Sequence, residues 1–193
     1  SYTVVQKKAK TIAVTGSSGK TTTVEAIYTM LKHIEPNTGK VYTQRPNPLS
    51  MSIGIMNLYC GSLLENALLI VEMPTDHHGC ITSLAEVVQP DIAVVLNVRD
   101  AHINVFGWIQ AIAHAKSELV KALKPGGEMV LNKDDENVAW MKSLAKDAQR
   151  TVYFSTSLRA DVRGKIVEHT GTAINCIIQT ATDTQNLSFP LIG

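Results

Sequence analysis

Residues 11–23 read TIAVTGSSGKTTT. Thr11 to Thr15 is a short β-branched apolar run, and Gly16-Ser17-Ser18-Gly19 is turn-forming. After Lys20-Thr21-Thr22-Thr23, the residues Val24, Ile27, Tyr28, Leu31 and Ile34 recur at helical spacing until Pro36 closes the run. The pattern predicts strand, glycine loop and amphipathic helix. In that context loop N–H groups converge on an anion, the helix N-terminus adds a favourable dipole, a lysine neutralises β/γ oxygens and the next hydroxyl ligates Mg²⁺. The candidate nucleotide-binding residues are therefore Gly16, Ser17, Ser18, Gly19, Lys20, Thr21 and Thr22, with Lys20 in a catalytic role and Thr21 as a metal ligand. The loop is shorter than G-x-x-x-x-G-K-[ST], whose first glycine would fall at Val14. The plain alternative is a glycine-serine turn that caps a helix beside a solvated Lys20. The flanking strand and helix weigh against it. A dinucleotide site fits less well, because G-x-G-x-x-G is absent and a lysine followed by threonines suits a triphosphate with metal.

Outward from this loop, short apolar runs alternate with helical stretches, the pattern of βαβ units. Strands are predicted at about 11–15, 39–43, 67–72, 91–97, 127–132 and 151–155, and helices at about 19–34, 50–60, 79–88, 108–123 and 135–147. Beyond Ser155 three short strands follow without a helix, either as an edge extension of the main sheet or as a separate flap. The expected fold class is α/β: a mostly parallel P-loop-type sheet flanked by helices, with a small antiparallel β extension at the C-terminal end. Residues 1–9 read as a linker and 156–193 as the β-rich extension of one domain.

The chain has 193 residues, 45 % hydrophobic and 18 % charged, which excludes charge-driven disorder. Its net charge of +1 is too small to hold nucleic acid or anionic lipid by charge alone. No apolar run approaches the ~20 residues needed to span a bilayer, and the polar, basic N-terminus lacks a signal-like apolar segment. Cys60, Cys80 and Cys176 share no metal-ligand spacing and make no disulfide framework, so a cytoplasmic protein is expected.

Four segments in order resemble the Mur ligase family, ATP-dependent enzymes that join amino acids or dipeptides to cell-wall precursors. They are TGSSGKTTT, VEMPTDHHGCI, NVRDAHINVFG and IAHAKSELV. The resemblance covers nearly the whole chain as the family's central ATP-binding domain. It is nearest to the MurF type, which adds D-alanyl-D-alanine to a UDP-muramoyl tripeptide. It implies metal-ligand roles for Glu72 and His102, a carbamylated and metal-binding Lys116, and further matching positions at His77 and Gly79. It also implies ATP and Mg²⁺ as cofactors and a muramoyl-peptide-like substrate, with no nucleic-acid or membrane partner. The implied reaction runs through an acyl phosphate that an amine converts to an amide, with His102, Lys20 and Lys116 in catalytic roles.

The residues carry their own readings. Glu72 ends an apolar strand at the carboxyl edge of a parallel sheet, where ligands bind; a solvated strand-end glutamate is the alternative. His102 on a polar loop would otherwise be an ordinary loop histidine, since Mg²⁺ prefers oxygen. Lys116 sits amid Ile109, Ile112, Ala113, Leu119, Val120 and Leu123 on an apolar helix face, so its amine is expected to lose hydration and its pKa to fall. Snorkelling, or pairing with Glu118, is the alternative. Asn132, Asp134 and Asp135 are explained by an N-cap at either aspartate. Cys80 has no neighbour in sequence that argues for a thiolate, and Trp108 and Trp140 read as packing residues. His33, His77, His78, His114 and His169 carry no assigned role.

Residues 44–53 depart from the asparagine-rich stretch of the MurF type, and Pro74 and Asp76 replace a glycine and an asparagine. The family's N-terminal UDP-substrate domain and C-terminal amine-binding domain are absent, so this segment alone is expected to be inactive as a ligase. Two other readings stand beside this one: a nucleotide-binding module without ligase activity, and an unrelated P-loop ATPase or kinase.

Overall fold

The computed structural model describes residues 9–42, 47–61, 67–100, 103–145 and 147–190. Nine strands form one sheet in the order β2-β3-β1-β4-β5-β6-β7-β8-β9. They are β1 Ala9–Thr15, β2 Thr38–Val41, β3 Ala67–Glu72, β4 Ile92–Val95, β5 Glu128–Asn132, β6 Arg150–Ser155, β7 Val162–His169, β8 Ala173–Gln179 and β9 Thr184–Pro190. The helices are α1 Lys20–Ile34, α2 Pro48–Gly61, α3 Cys80–Val88, α4 Ile103–Phe106, α5 Ile109–Lys121 and α6 Glu136–Ala139, the last continued by a 3₁₀ turn over Trp140–Leu144. All pairings from β2 through β7 are parallel, while β7–β8 and β8–β9 are antiparallel.

The alternation of side chains along a strand explains why these runs are apolar throughout. Ile12 and Val14 pack with Ile70, Val94 and Val24 of α1 on one face, while Ala13, Leu69 and Val71 meet Met51, Ile55, Ile81 and Leu84 on the other. Both faces are covered, as parallel sheets require. The second half of the core joins Val95, Met129 and Leu131 to Ile112, Ala115 and Val120 of α5 and to Val138 and Met141.

The α/β reading holds, with local corrections. Ala9 belongs to β1, paired with Ala67, rather than to a linker, and residues 1–8 lie outside the described residues. Ile34, expected on the buried stripe, ends its helix 74 % exposed, because Val24, Ile27, Tyr28 and Leu31 already complete the contact with the sheet. The helix expected at 135–147 is one α turn followed by a 3₁₀ segment. Val138 and Met141, both fully buried and three residues apart, suit the threefold period of that tighter helix. The extension is continuous with the main sheet: Phe154 pairs with Val162 and Ser155 with Arg163, so β7–β9 prolong one edge.

Candidate functional site

The phosphate loop leaves β1 at the carboxyl edge of the sheet, between β3 and β4. Glycine is required twice. A Cβ on Gly16 would lie 3.0 Å from Leu96 Cβ, and Gly19 adopts φ 77° as it caps α1. Lys20 Nζ donates to Gly16 O at 3.1 Å, folding the side chain over the loop. Val14, where a longer loop would begin, is buried within β1 and registers with Glu72. Thr21 Oγ1 donates to Glu72 Oε2 at 2.7 Å, so a helix N-terminal hydroxyl and a strand-end carboxylate converge on one point. Two hard oxygen donors there suit Mg²⁺.

A latch unrecognised in the sequence fixes the loop. Ser17 N donates to Asn97 O at 3.0 Å, Ser18 N to Asn97 Oδ1 at 3.0 Å, Asn97 Nδ2 to Ser18 O at 3.2 Å and Arg99 N to Ser17 Oγ at 2.9 Å. These bonds end β4 at Val95, two residues short of the expected Asn97, since the chain beyond turns its polar groups to the loop. Asn132 and Asp135 brace the same segment, the first as a donor and the second as an acceptor. Asn132 Nδ2 donates to Leu96 O at 2.8 Å, and Asp135 Oδ2 accepts Val98 N at 2.8 Å. Asp135 is also the N-cap of α6, as one of the two expected aspartates. Asp134 instead binds the turn after β6. Burial opposes its charge, and hydrogen bonds from Ser155, Thr156 and Ser157 outweigh that, holding its carboxyl below the usual range.

Lys116 is 2 % exposed in the middle of α5. Burial, aided by repulsion from Lys20, lowers its pKa to about 8. Glu118, the partner considered for it, is engaged elsewhere: its carboxylate accepts Gly79 N at 2.7 Å, Thr82 N at 3.0 Å and Thr82 Oγ1 at 3.1 Å, capping α3. Glu118→Ala removes that cap and should destabilise the chain by about 1–2 kcal/mol. A lower urea midpoint at unchanged slope is the expected result, and an unchanged midpoint would dismiss the cap.

His102 and residues 43–46, which include the start of the 44–53 stretch, lie outside the described residues. Trp108 is 64 % exposed before α5 rather than packed, and Trp140 is half-exposed with its ring edge against His114, because the buried positions of those turns belong to Ile112, Val138 and Met141. His78 contacts Phe106 edge-on. Cys80 is buried, with burial pushing its thiol pKa up, so it is no free thiolate. Among the described residues, no helix is long and apolar enough to cross a membrane.

Residues 14–193 match the family model of the Mur ligase middle domain. A UDP-N-acetylmuramoyl-tripeptide–D-alanyl-D-alanine ligase of Mycobacterium bovis is 38 % identical over 151 residues, covering 78 % of this chain and 28 % of that enzyme. A crystal structure of MurF from Acinetobacter baumannii superposes with TM-score 0.81 at 27 % identity, covering all of this chain and 41 % of that one. MurF from Thermotoga maritima, in complex with ADP, shares the fold with TM-score 0.79 at 24 % identity, over 97 % of this chain and 43 % of that one. The chain thus spans well under half the length of these relatives.

Proposed function

The chain belongs to the Mur ligase family through its middle domain, and from that premise we propose that it is the ATP-binding domain of a MurF-type amide ligase of cell-wall precursor synthesis, acting in the cytoplasm. The observation that carries the reading is the convergence of Thr21 Oγ1 and Glu72 Oε2 beside the Gly16–Thr22 loop, 2.7 Å apart. A hydroxyl and a carboxylate set against a lysine-bearing phosphate loop are what a metal-bound nucleotide triphosphate needs. Membership of the family sets aside an unrelated P-loop ATPase or kinase.

In this reading Lys20 neutralises β/γ oxygens of ATP, and Thr21, Glu72, His102 and a carbamylated Lys116 would hold Mg²⁺. Bound there, the metal would supply charge neutralisation to the transferring phosphoryl group. The latch through Asn97 and Ser17 keeps the loop in place without reorganisation during reaction. The acceptor carboxylate attacks the γ-phosphorus, ADP leaves, and an acyl phosphate results. An amine then attacks the acyl carbon, phosphate departs and the amine's proton passes to solvent. Further domains of the full-length protein would hold the muramoyl-peptide acceptor and the amino acid or dipeptide donor. Without such positioning no amide formation is expected from the 193 residues alone.

The test is full-length protein given ATP, UDP-muramoyl tripeptide labelled with ¹⁸O in its carboxylate, and D-alanyl-D-alanine. Mass spectrometry should find one label in inorganic phosphate for each amide formed. Label appearing in AMP, or amide without labelled phosphate, would reject the acyl phosphate, and no amide at all would reject the ligase.

A further inference from the structure

Between β3 and α3 lies a second cluster that the nucleotide chemistry does not use. Asp76, His77 and Cys80 offer a carboxylate oxygen, an imidazole nitrogen and a sulfur, all within 4.8 Å of one another. His77 Nδ1 is 2.5 Å from Asp76 Oδ1 and 2.9 Å from Cys80 Sγ, and Cys80 Sγ is 3.0 Å from Asp76 Oδ1. Cys80 is 3 % exposed with its sulfur aimed at the other two groups, the His77 side chain being 66 % and that of Asp76 49 % exposed. We propose that these three side chains form a binding site for a single borderline-soft divalent cation, with Zn²⁺ as its type.

The donor set is one oxygen, one nitrogen and one sulfur. Thiolate and imidazole select Zn²⁺ over the hard Mg²⁺ of the nucleotide site, and a carboxylate with one water completes a tetrahedron. The frame is built before the ion arrives. Met73 N donates to Val14 O at 2.8 Å, and Thr75 Oγ1, itself buried, donates to His77 O at 3.1 Å. Glu118 pins Gly79 N, and φ 84° at Gly79 turns the chain into α3 so that Cys80 follows His77 by three residues on one side. Metal-ligand bonds of about 2.0–2.3 Å set tetrahedral donors roughly 3.3–3.5 Å apart. The present spacings therefore need to open by less than about 1 Å, which the exposed Asp76 and His77 permit by side-chain rotation. On binding, the S–H bond of Cys80 breaks, a metal–sulfur bond forms and the proton goes to water. Imidazole Nδ1 and the carboxylate donate lone pairs.

The 193-residue chain titrated with Co²⁺ should show the near-ultraviolet thiolate-to-cobalt band at one ion per chain, which Zn²⁺ displaces and excess Mg²⁺ does not. Cys80→Ser should abolish the band, and the double variant Cys60→Ser/Cys176→Ser should retain it. His77→Ala and Asp76→Asn alter exposed side chains and leave the fold intact. Each should weaken Zn²⁺ in a chelator competition by at least about a hundredfold, the upper end of what loss of an outer-shell partner costs. A band that survives Cys80→Ser, that Mg²⁺ displaces, or Zn²⁺ affinity unchanged in His77→Ala or Asp76→Asn would overturn the site.

Discussion

Replacing Lys116 by alanine in the full-length protein is expected to lower ligase turnover by about 10²–10³-fold, the loss typical of one preorganised electrostatic group. Lys116 sits on the packed face of α5 at 2 % exposure, and burial together with the charge of Lys20 brings its pKa to about 8. At pH 7.5 roughly a quarter of such amines are neutral, against about one in a thousand at an ordinary lysine pKa. Only the neutral amine adds to CO₂. Its nitrogen lone pair forms the N–C bond, a proton leaves to water, and a buried cation becomes an anionic oxygen ligand fit for Mg²⁺. Activity of Lys116→Ala should return in part with a short-chain carboxylic acid, and ¹³C-labelled bicarbonate should give a carbamate resonance that the variant lacks. A fully active variant, or an unlabelled wild type, would end the carbamate proposal.

The same lysine makes a stability prediction with a definite sign. Its folded pKa lies below its unfolded value, so between about pH 8 and 10.5 the unfolded chain binds the extra proton and stability rises with pH. The gain across that window is on the order of 3 kcal/mol, and it should vanish in Lys116→Met, which keeps the buried stem and removes the charge. Urea unfolding at pH 7.5 and 10 measures it in both proteins. Equal slopes against pH would show that Lys116 reaches water after all.

Much of this arrangement is legible in the residue order, because the deciding signals are local. The run TIAVT followed by Gly16-Ser17-Ser18-Gly19 and a lysine specifies strand, loop and helix, and the stripe around Lys116 places its amine on the packed face. What escapes is what depends on partners far along the chain. Asn97 lies 79 residues from Ser18 yet closes the phosphate loop, and Glu118 caps a helix beginning 38 residues before it. Neither bond leaves a pattern in spacing, since an asparagine at a strand exit and a glutamate on a helix flank look like any solvated pair. Trp108 and Ile34 show the converse, apolar side chains at helical spacing that stay exposed because nearer positions already fill the contact. Nothing in the residue order groups Asp76, His77 and Cys80 as one donor set, and the turn at Gly79 brings their donor atoms together.

Calorimetry on Lys20→Ala should show Mg·ATP binding about ten- to a hundredfold weaker than wild type, corresponding to roughly 1.5–3 kcal/mol for one charge-assisted phosphate contact. Lys20 is the only cation of the Gly16–Thr22 loop, and its bond to Gly16 O shows that its amine reaches back across the loop's opening. The backbone N–H groups and the dipole of α1 remain in the variant, so binding should weaken rather than disappear. Lys121→Ala, an exposed lysine at the end of α5, is the control and should leave affinity unchanged. A second readout follows from the repulsion between the two lysines. Because Lys20 helps hold Lys116 neutral, removing it should raise the Lys116 pKa and move the onset of the pH-dependent stability gain upward. Weakened ATP binding together with that upward shift would tie both lysines to one site. ATP affinity equal in wild type and Lys20→Ala would take the loop out of nucleotide binding, whatever Lys116 does.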